Sequence, residues 1–104
     1  MTIHQYIEIA HFKTLPEVTE EALLSANAVL SAQQAQNVPG FIGRELLRES
    51  DGSWFVILRM RDQASMASFL PNARKAPTAE MRAFGALLEK SSMRLEFANL
   101  RFAI

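Results

Sequence analysis

Residues 54–60 read WFVILRM, five apolar side chains in succession followed by Arg59 and Met60. A short run rich in β-branched and aromatic residues is a strand signal, and strand side chains alternate between two faces. Trp54, Val56, Leu58 and Met60 then point one way while Phe55 and Ile57 point the other. Both faces need cover, so any fold for this chain must place something on each side of the sheet that holds this strand.

The rest of the chain supplies cover for one side. Residues 3–13 form a first strand, with Ile3, Ile7 and Ile9 on one face and Tyr6, Ala10 and Phe12 on the other. A helix follows within residues 14–37, where Val18, Ala22, Ala26, Val29 and Leu30 recur at helical spacing. Thr14 with Glu17, or Thr19 one turn later, can cap its start, and Val38-Pro39-Gly40 ends it. FIGRELLRES and WFVILRMRD flank Asp51-Gly52-Ser53, a strong hairpin signal. Asp62 caps a short helix, QASMASFL, that Pro71 stops; a loop with Arg74 and Lys75 leads to Pro77 and a second helix, TAEMRAFGALLEKS, in which Gly85 marks close backbone packing. The last strand is RLEFANLRFAI, whose apolar residues change phase between Leu95/Phe97 and Leu100/Phe102/Ile104. That change predicts a β-bulge near Ala98-Asn99.

The order βαββαβ in 104 residues is that of one α+β domain, a ferredoxin-like antiparallel sheet with its helices on one face. Ile3, Ile7, Ile9, Phe55 and Ile57 are left on the other face. At about 1.5 to 3 kcal/mol each, their burial is worth roughly 7 to 15 kcal/mol, comparable to the stability of a domain. The chain has no further element to cover them, so the expected partner is a second copy, sheet to sheet through Phe55, Ile57, Ile7 and Ile9. Arg59 and Arg61 on that face would sit at the rim or meet acidic groups of the partner.

Composition narrows the function. Eleven Lys and Arg balance eleven Asp and Glu, so nucleic acid and anionic membranes are disfavoured partners. An RNA-binding reading of Phe55 also lacks a Gly-aromatic signature. No cysteine is present, which removes disulfides and thiolate chemistry, and no run approaches the roughly 18 apolar residues of a membrane span. The N-terminal residues do not have the pattern of a signal peptide, so a cytoplasmic location is expected.

PGFIGRELLRES, the hairpin, and FVILRMRDQASMASFL together resemble antibiotic-biosynthesis-monooxygenase-like domains, in which a Pro-Gly-aromatic entry opens the second strand. The resemblance implies a dimeric α/β barrel. It also implies a cofactor-free monooxygenase chemistry, in which a reduced aromatic is deprotonated and its anion reacts with oxygen in a dry pocket. Met60 stands where the family's strand-ending tryptophan is expected, and Phe69 where members often carry histidine or tryptophan. No histidine follows His11, so the proximal histidine of the heme-degrading members is absent.

No metal spacing, phosphate loop or Ser-His-Asp arrangement can be assembled, and no cofactor is expected. Candidate acid-base residues are Glu8 and His4, on the face with Tyr6 and Phe12; the commoner explanation of such residues is an ion pair with a nearby arginine for Glu8 and an exposed strand end for His4. A flat apolar binding pocket can be drawn from Tyr6, Trp54, Met60, Met66, Phe69, Met81 and Phe84, although core packing produces the same pattern. His11 falls on the opposite face, at the expected interface or an exposed strand end. Arg44, Arg48, Arg74 and Lys75 can attract an anion or form a solvated surface. Two functions remain: a cofactor-independent oxygenase acting on a small aromatic or quinol-type compound, and a non-catalytic dimer of the same fold that binds an apolar metabolite or has another stress or metabolic role.

Overall fold

The computed structural model describes the backbone of residues 2–103 and the side chains of residues 4–103, so the expected positions of Ile3 and Ile104 side chains lie outside the described residues. Four strands and three helices follow in the order β1 (Thr2–Thr14), α1 (Glu20–Asn37), β2 (Phe41–Arg48), β3 (Trp54–Met60), α2 (Gln63–Lys75), α3 (Ala79–Gly85) and β4 (Leu88–Phe102). The sheet is antiparallel in the order β2-β3-β1-β4. This is the expected ferredoxin-like arrangement.

Burial along β3 alternates strictly, with Trp54, Val56, Leu58 and Met60 buried and Phe55, Ile57 and Arg59 partly open. Register carries this alternation to β1, because Tyr6, Glu8, Ala10 and Phe12 lie opposite Met60, Leu58, Val56 and Trp54. The covered face holds two apolar clusters. Phe12, Leu23, Leu30, Trp54, Val56, Phe84 and Leu88 form one; Leu58, Met60 and Met66 form the other, with Tyr6, Phe41 and Phe69 packed against it. The opposite face presents Ile7, Ile9, Phe55, Ile57 and Leu47. Arg59 pairs there with Glu45 of the same chain at 2.7 Å; Arg61, expected on this face, lies past the end of β3 and turns to α2 instead, pairing with Asp62 at 3.1 Å and donating to Ser65 Oγ at 3.2 Å.

Local chemistry sets the ends of the elements. Thr19, not Thr14, caps α1, its hydroxyl accepting from the Ala22 amide, and Asp62 caps α2 by accepting from the Ser65 amide at 2.8 Å. The hairpin closes through Glu49 N–H to the Ser53 carbonyl, with Gly52 at φ 90°. Gly40 opens β2 at φ 83°, and a Cβ there would run into Ser65. Both the left-handed backbone and the close approach of α2 therefore require glycine.

Several expectations are corrected. Because α1 begins a turn late, Val18 precedes it; the buried stripe is Leu23, Leu30 and Gln34, while Ala22 faces outward and Val29 is 59% exposed. Alanines at many positions made several helical stripes equally apolar in the sequence. Pro71 does not stop α2, and Arg74 and Lys75 belong to its last turn. Ala67, whose carbonyl loses its amide partner, lies on the exposed side with Pro71, where water can replace the bond. Helix α3 ends at Gly85, and Leu88 already pairs with Thr14. Ala86 and Leu87 turn the chain, and the long β1 captures the following LEKS segment as strand, against its helical propensity. Gly85 has open space around it, with no close backbone contact.

The bulge is also displaced. Tyr6 to Glu8 pair without interruption with Asn99 to Phe97, and the irregularities fall between Thr2 and Gln5 and between His11 and Lys13. At the second of these, five residue steps of β4 oppose two of β1, and the Ser92 hydroxyl takes the Lys13 amide at 2.8 Å.

Candidate active site

The cross-strand row at Leu58 places Phe97, Glu8, Leu58 and Arg44 side by side on the covered face, because Glu8 lies opposite both Leu58 and Phe97, and Arg44 lies opposite Leu58. In the neighbouring row Ala10 takes the place of a larger side chain. A cavity of about 340 Å³ lies over these rows, roofed by α1, α2 and α3. Its walls are mainly apolar, with Phe12, Leu30, Phe69, Met81 and Phe84 among them. Glu8, Gln34, Arg44 and Arg74 bring polar groups to it.

Among the described residues, Glu8 is the only carboxylate lining this cavity. Burial raises its carboxyl above the ordinary value, and the charges of Arg44 and Arg74 oppose that rise. Glu8 makes no hydrogen bond or close ion pair among the described residues, so the proposed structural ion pair for it is not formed. Arg44 is half-buried, like Glu8; desolvation lowers its guanidinium to about 10, against the opposing effect of Glu8. Its Nε donates to Asn27 Oδ1 at 2.8 Å, and its guanidinium lies 4.9 Å from the centre of the Phe84 ring. A half-buried base and a half-buried, oriented cation thus share one apolar cavity.

Gln34 completes the site. It is 2% exposed, and its Oε1 has no hydrogen-bond partner among the described residues. An unpaired buried acceptor carries an energetic cost that a ligand donor can relieve.

The residues singled out in the sequence separate into three groups. Glu8, Phe69, Met81 and Phe84 line the cavity. Trp54, Met60 and Met66 are buried in the core, and Tyr6 packs beside them while its ring stacks 6.1 Å from that of Phe97. His4 is exposed, within the register irregularity between Thr2 and Gln5, and is not part of the cavity wall. Of the four basic residues, Arg44 and Arg74 reach the cavity; Arg48 instead pairs with Glu20 at 3.0 Å and stacks over Trp54. Gln34 and Ala10 were missed. For Gln34 the available signal was its place four residues beyond Leu30 on the stripe begun by Leu23.

His11 stands on the open face. Its Nε2 lies 2.7 Å from Glu96, and its ring lies 5.5 Å from that of Phe55. A larger groove, about 600 Å³, runs between the end of α1 and helices α2 and α3, but no carboxylate or histidine lines it. Proton-transfer chemistry therefore points to the smaller cavity.

No family model matches the chain, and no curated protein matches it. Solved structures do. The chain is similar to SnoaB, a cofactor-independent oxygenase from Streptomyces nogalater, with 21% identity over 97% of each chain and a TM-score of 0.73. It is similar to a candidate antibiotic biosynthesis monooxygenase from Caulobacter crescentus, with 16% identity over 93% of this chain and 90% of that one, at a TM-score of 0.70. A dimeric ferredoxin-like protein of unknown function from Thermobifida fusca matches 94% of this chain and 92% of its own, with 12% identity and a TM-score of 0.64. The chain has the fold of the antibiotic-biosynthesis-monooxygenase-like domains, as the Pro39-Gly40-Phe41 entry implied.

Proposed function

We propose that the chain is a cofactor-independent monooxygenase, working as a cytoplasmic homodimer, that takes a planar phenolic or quinol-type compound into the cavity over Glu8. The observation that carries this reading is Glu8 itself: a carboxylate whose proton affinity is raised by desolvation, in an apolar cavity that it shares with the half-buried Arg44. A general base needs proton affinity near the working pH, and a developing phenolate needs a fixed positive charge. Glu8 takes the hydroxyl proton and Arg44 holds the phenolate oxygen. The electron-rich ring transfers an electron to O2, recombination at a ring carbon that still bears hydrogen gives a peroxide anion, and the proton held by Glu8 returns to it to form the hydroperoxide. Loss of water from it leaves a quinone. Overall, one phenol and one O2 give one quinone and one water, with no external reductant. The likeness to SnoaB supports this reading at the level of fold, and the uncovered apolar face with Ile7, Ile9, Phe55 and Ile57 supports the homodimer.

The second reading is a binder of the same fold that performs no chemistry. It is favoured by Met93 and Leu95, both about two-fifths exposed at the cavity wall, which leave one side of the site open to water in the single chain. Oxygen uptake decides between them. With 1-naphthol and simple hydroquinones as the panel, the oxygenase consumes one O2 per quinone formed from 1-naphthol, and Glu8→Gln lowers the rate by roughly 10² to 10⁴. Binding of the panel without oxygen uptake by the unaltered protein selects the binder.

A further inference from the structure

Resting on the reading of the Glu8 cavity as a phenol site, we propose that Gln34 determines its substrate class: a fused two-ring aromatic carrying two oxygen functions, one at the Glu8 and Arg44 end and a second that donates a hydrogen bond to Gln34 Oε1. Three observations converge on this. The first is the unpaired acceptor. Gln34 Oε1 has no partner among the described residues, its side chain is almost fully buried, and it lines the same cavity as Glu8. Natural interiors pair nearly all such atoms, and those left unpaired are found where a ligand or water completes them.

The second is placement. Gln34 hangs from α1, in the roof, whereas Glu8 and Arg44 rise from β1 and β2, in the floor. The polar groups therefore approach a ligand from different elements, and a molecule with a single hydroxyl at the Glu8 end leaves Gln34 unsatisfied. The third is size and lining. A dry cavity of about 150 Å³ accommodates benzene, so about 340 Å³ suits two fused rings. Phe12, Phe69 and Phe84 supply apolar contact for them. A site built to receive a hydroxyl discriminates strongly against the analogue that lacks it, because its own buried acceptor is then stranded.

The test compares 1-naphthol with 1,5-dihydroxynaphthalene under anaerobic conditions, following quenching of Trp54 fluorescence. The unaltered protein binds the diol roughly tenfold more tightly, the equivalent of one neutral hydrogen bond. Gln34→Met, close in length and apolar, abolishes that preference while keeping or improving affinity for 1-naphthol, and its melting temperature shows that the fold is intact. Equal affinities for the two compounds in the unaltered protein overturn the proposal without recourse to any variant. So does a preference that survives in Gln34→Met. Because binding is measured without oxygen, the outcome is separate from that of the oxygenase reading. A diol preference that depends on Gln34, with no oxygen uptake in air, sustains this inference and sinks the catalytic one. Oxygen uptake with no effect of Gln34→Met on diol preference does the reverse.

Discussion

The two faces of the sheet are built from the same strands and meet opposite fates. On the helix side, β3 contributes Trp54, Val56, Leu58 and Met60, all buried, and a cavity opens above Glu8 and Ala10. On the other side, one residue along, Phe55 and Ile57 join Ile7, Ile9 and Leu47 in an apolar centre edged by charges. Arg59 pairs with Glu45 there, and His11 and Arg94 both reach Glu96. The covered face gathers Glu8, Arg44 and Gln34 around that cavity. The open face keeps its polar groups at the margin, the distribution expected of a surface that packs against a copy of itself.

Substitutions that act on one face and spare the other break or sharpen this contrast. The largest effect is expected from Phe55→Asp. A two-fold interface loses the residue twice, at about 2 kcal/mol each, and so association should weaken by at least about a thousandfold. Sedimentation would show a dimer becoming monomer. A protein that is already monomeric before the change would end the dimer proposal. Met60→Ala comes next, because it removes a fully buried side chain and should cost roughly 2 to 5 kcal/mol in denaturant unfolding at any protein concentration. Ile57→Ala, by contrast, should lose stability in a concentration-dependent manner, since its cover comes from the second copy.

Gly40→Ala probes the edge where β2 enters beneath α2. Its φ of 83° and the nearby Ser65 side chain make a cost of about 1 to 3 kcal/mol the expected result in thermal unfolding. Gly85→Ala should be neutral or slightly stabilising, because nothing stands near its missing Cβ.

The smallest effect is that of pH through Glu8. Its folded-state carboxyl is raised above the ordinary 4.5 by burial. The folded protein therefore binds more protons than the unfolded chain in the interval between the two values. Glu8 favours folding fully below the unfolded value, and that contribution is lost as pH rises through the folded one. Glu8→Gln should melt higher than the unaltered protein at pH 8, and the difference should shrink as pH falls toward 4.5. A difference that is constant with pH would mean that the carboxyl is not desolvated, and with it the argument for Glu8 as a base would fail.

Much of this was legible in the residues. The period of two in WFVILRM and in IHQYIEIAHF establishes which side chains share a face, and the fold class follows from the order of the elements. Asp51-Gly52, Asp62 and Pro39 each act through their own backbone chemistry, so their roles could be read without any distant contact, whereas the start of α1 stayed open between Thr14 and Thr19. The site was less legible. Met60 and Met66 look like pocket residues and are core, whereas Arg44 looks like a solvated charge and is half-buried against the Phe84 ring. Spacing records which face a residue occupies but does not record which element lies above it.

Local sequence therefore determined the strands, the turns, the helix caps and the two-sided character of the sheet, because these depend on dihedral preferences and on alternation within a few residues. Tertiary structure decided the rest. It set the end of α3, where pairing with β1 prevailed over helical propensity, and it set the passage of α2 through Pro71. It also placed Gln34, Arg44 and Glu8 around one cavity. These outcomes depend on contacts between residues far apart in the chain, whose energies are counted only when the helices have packed on the sheet.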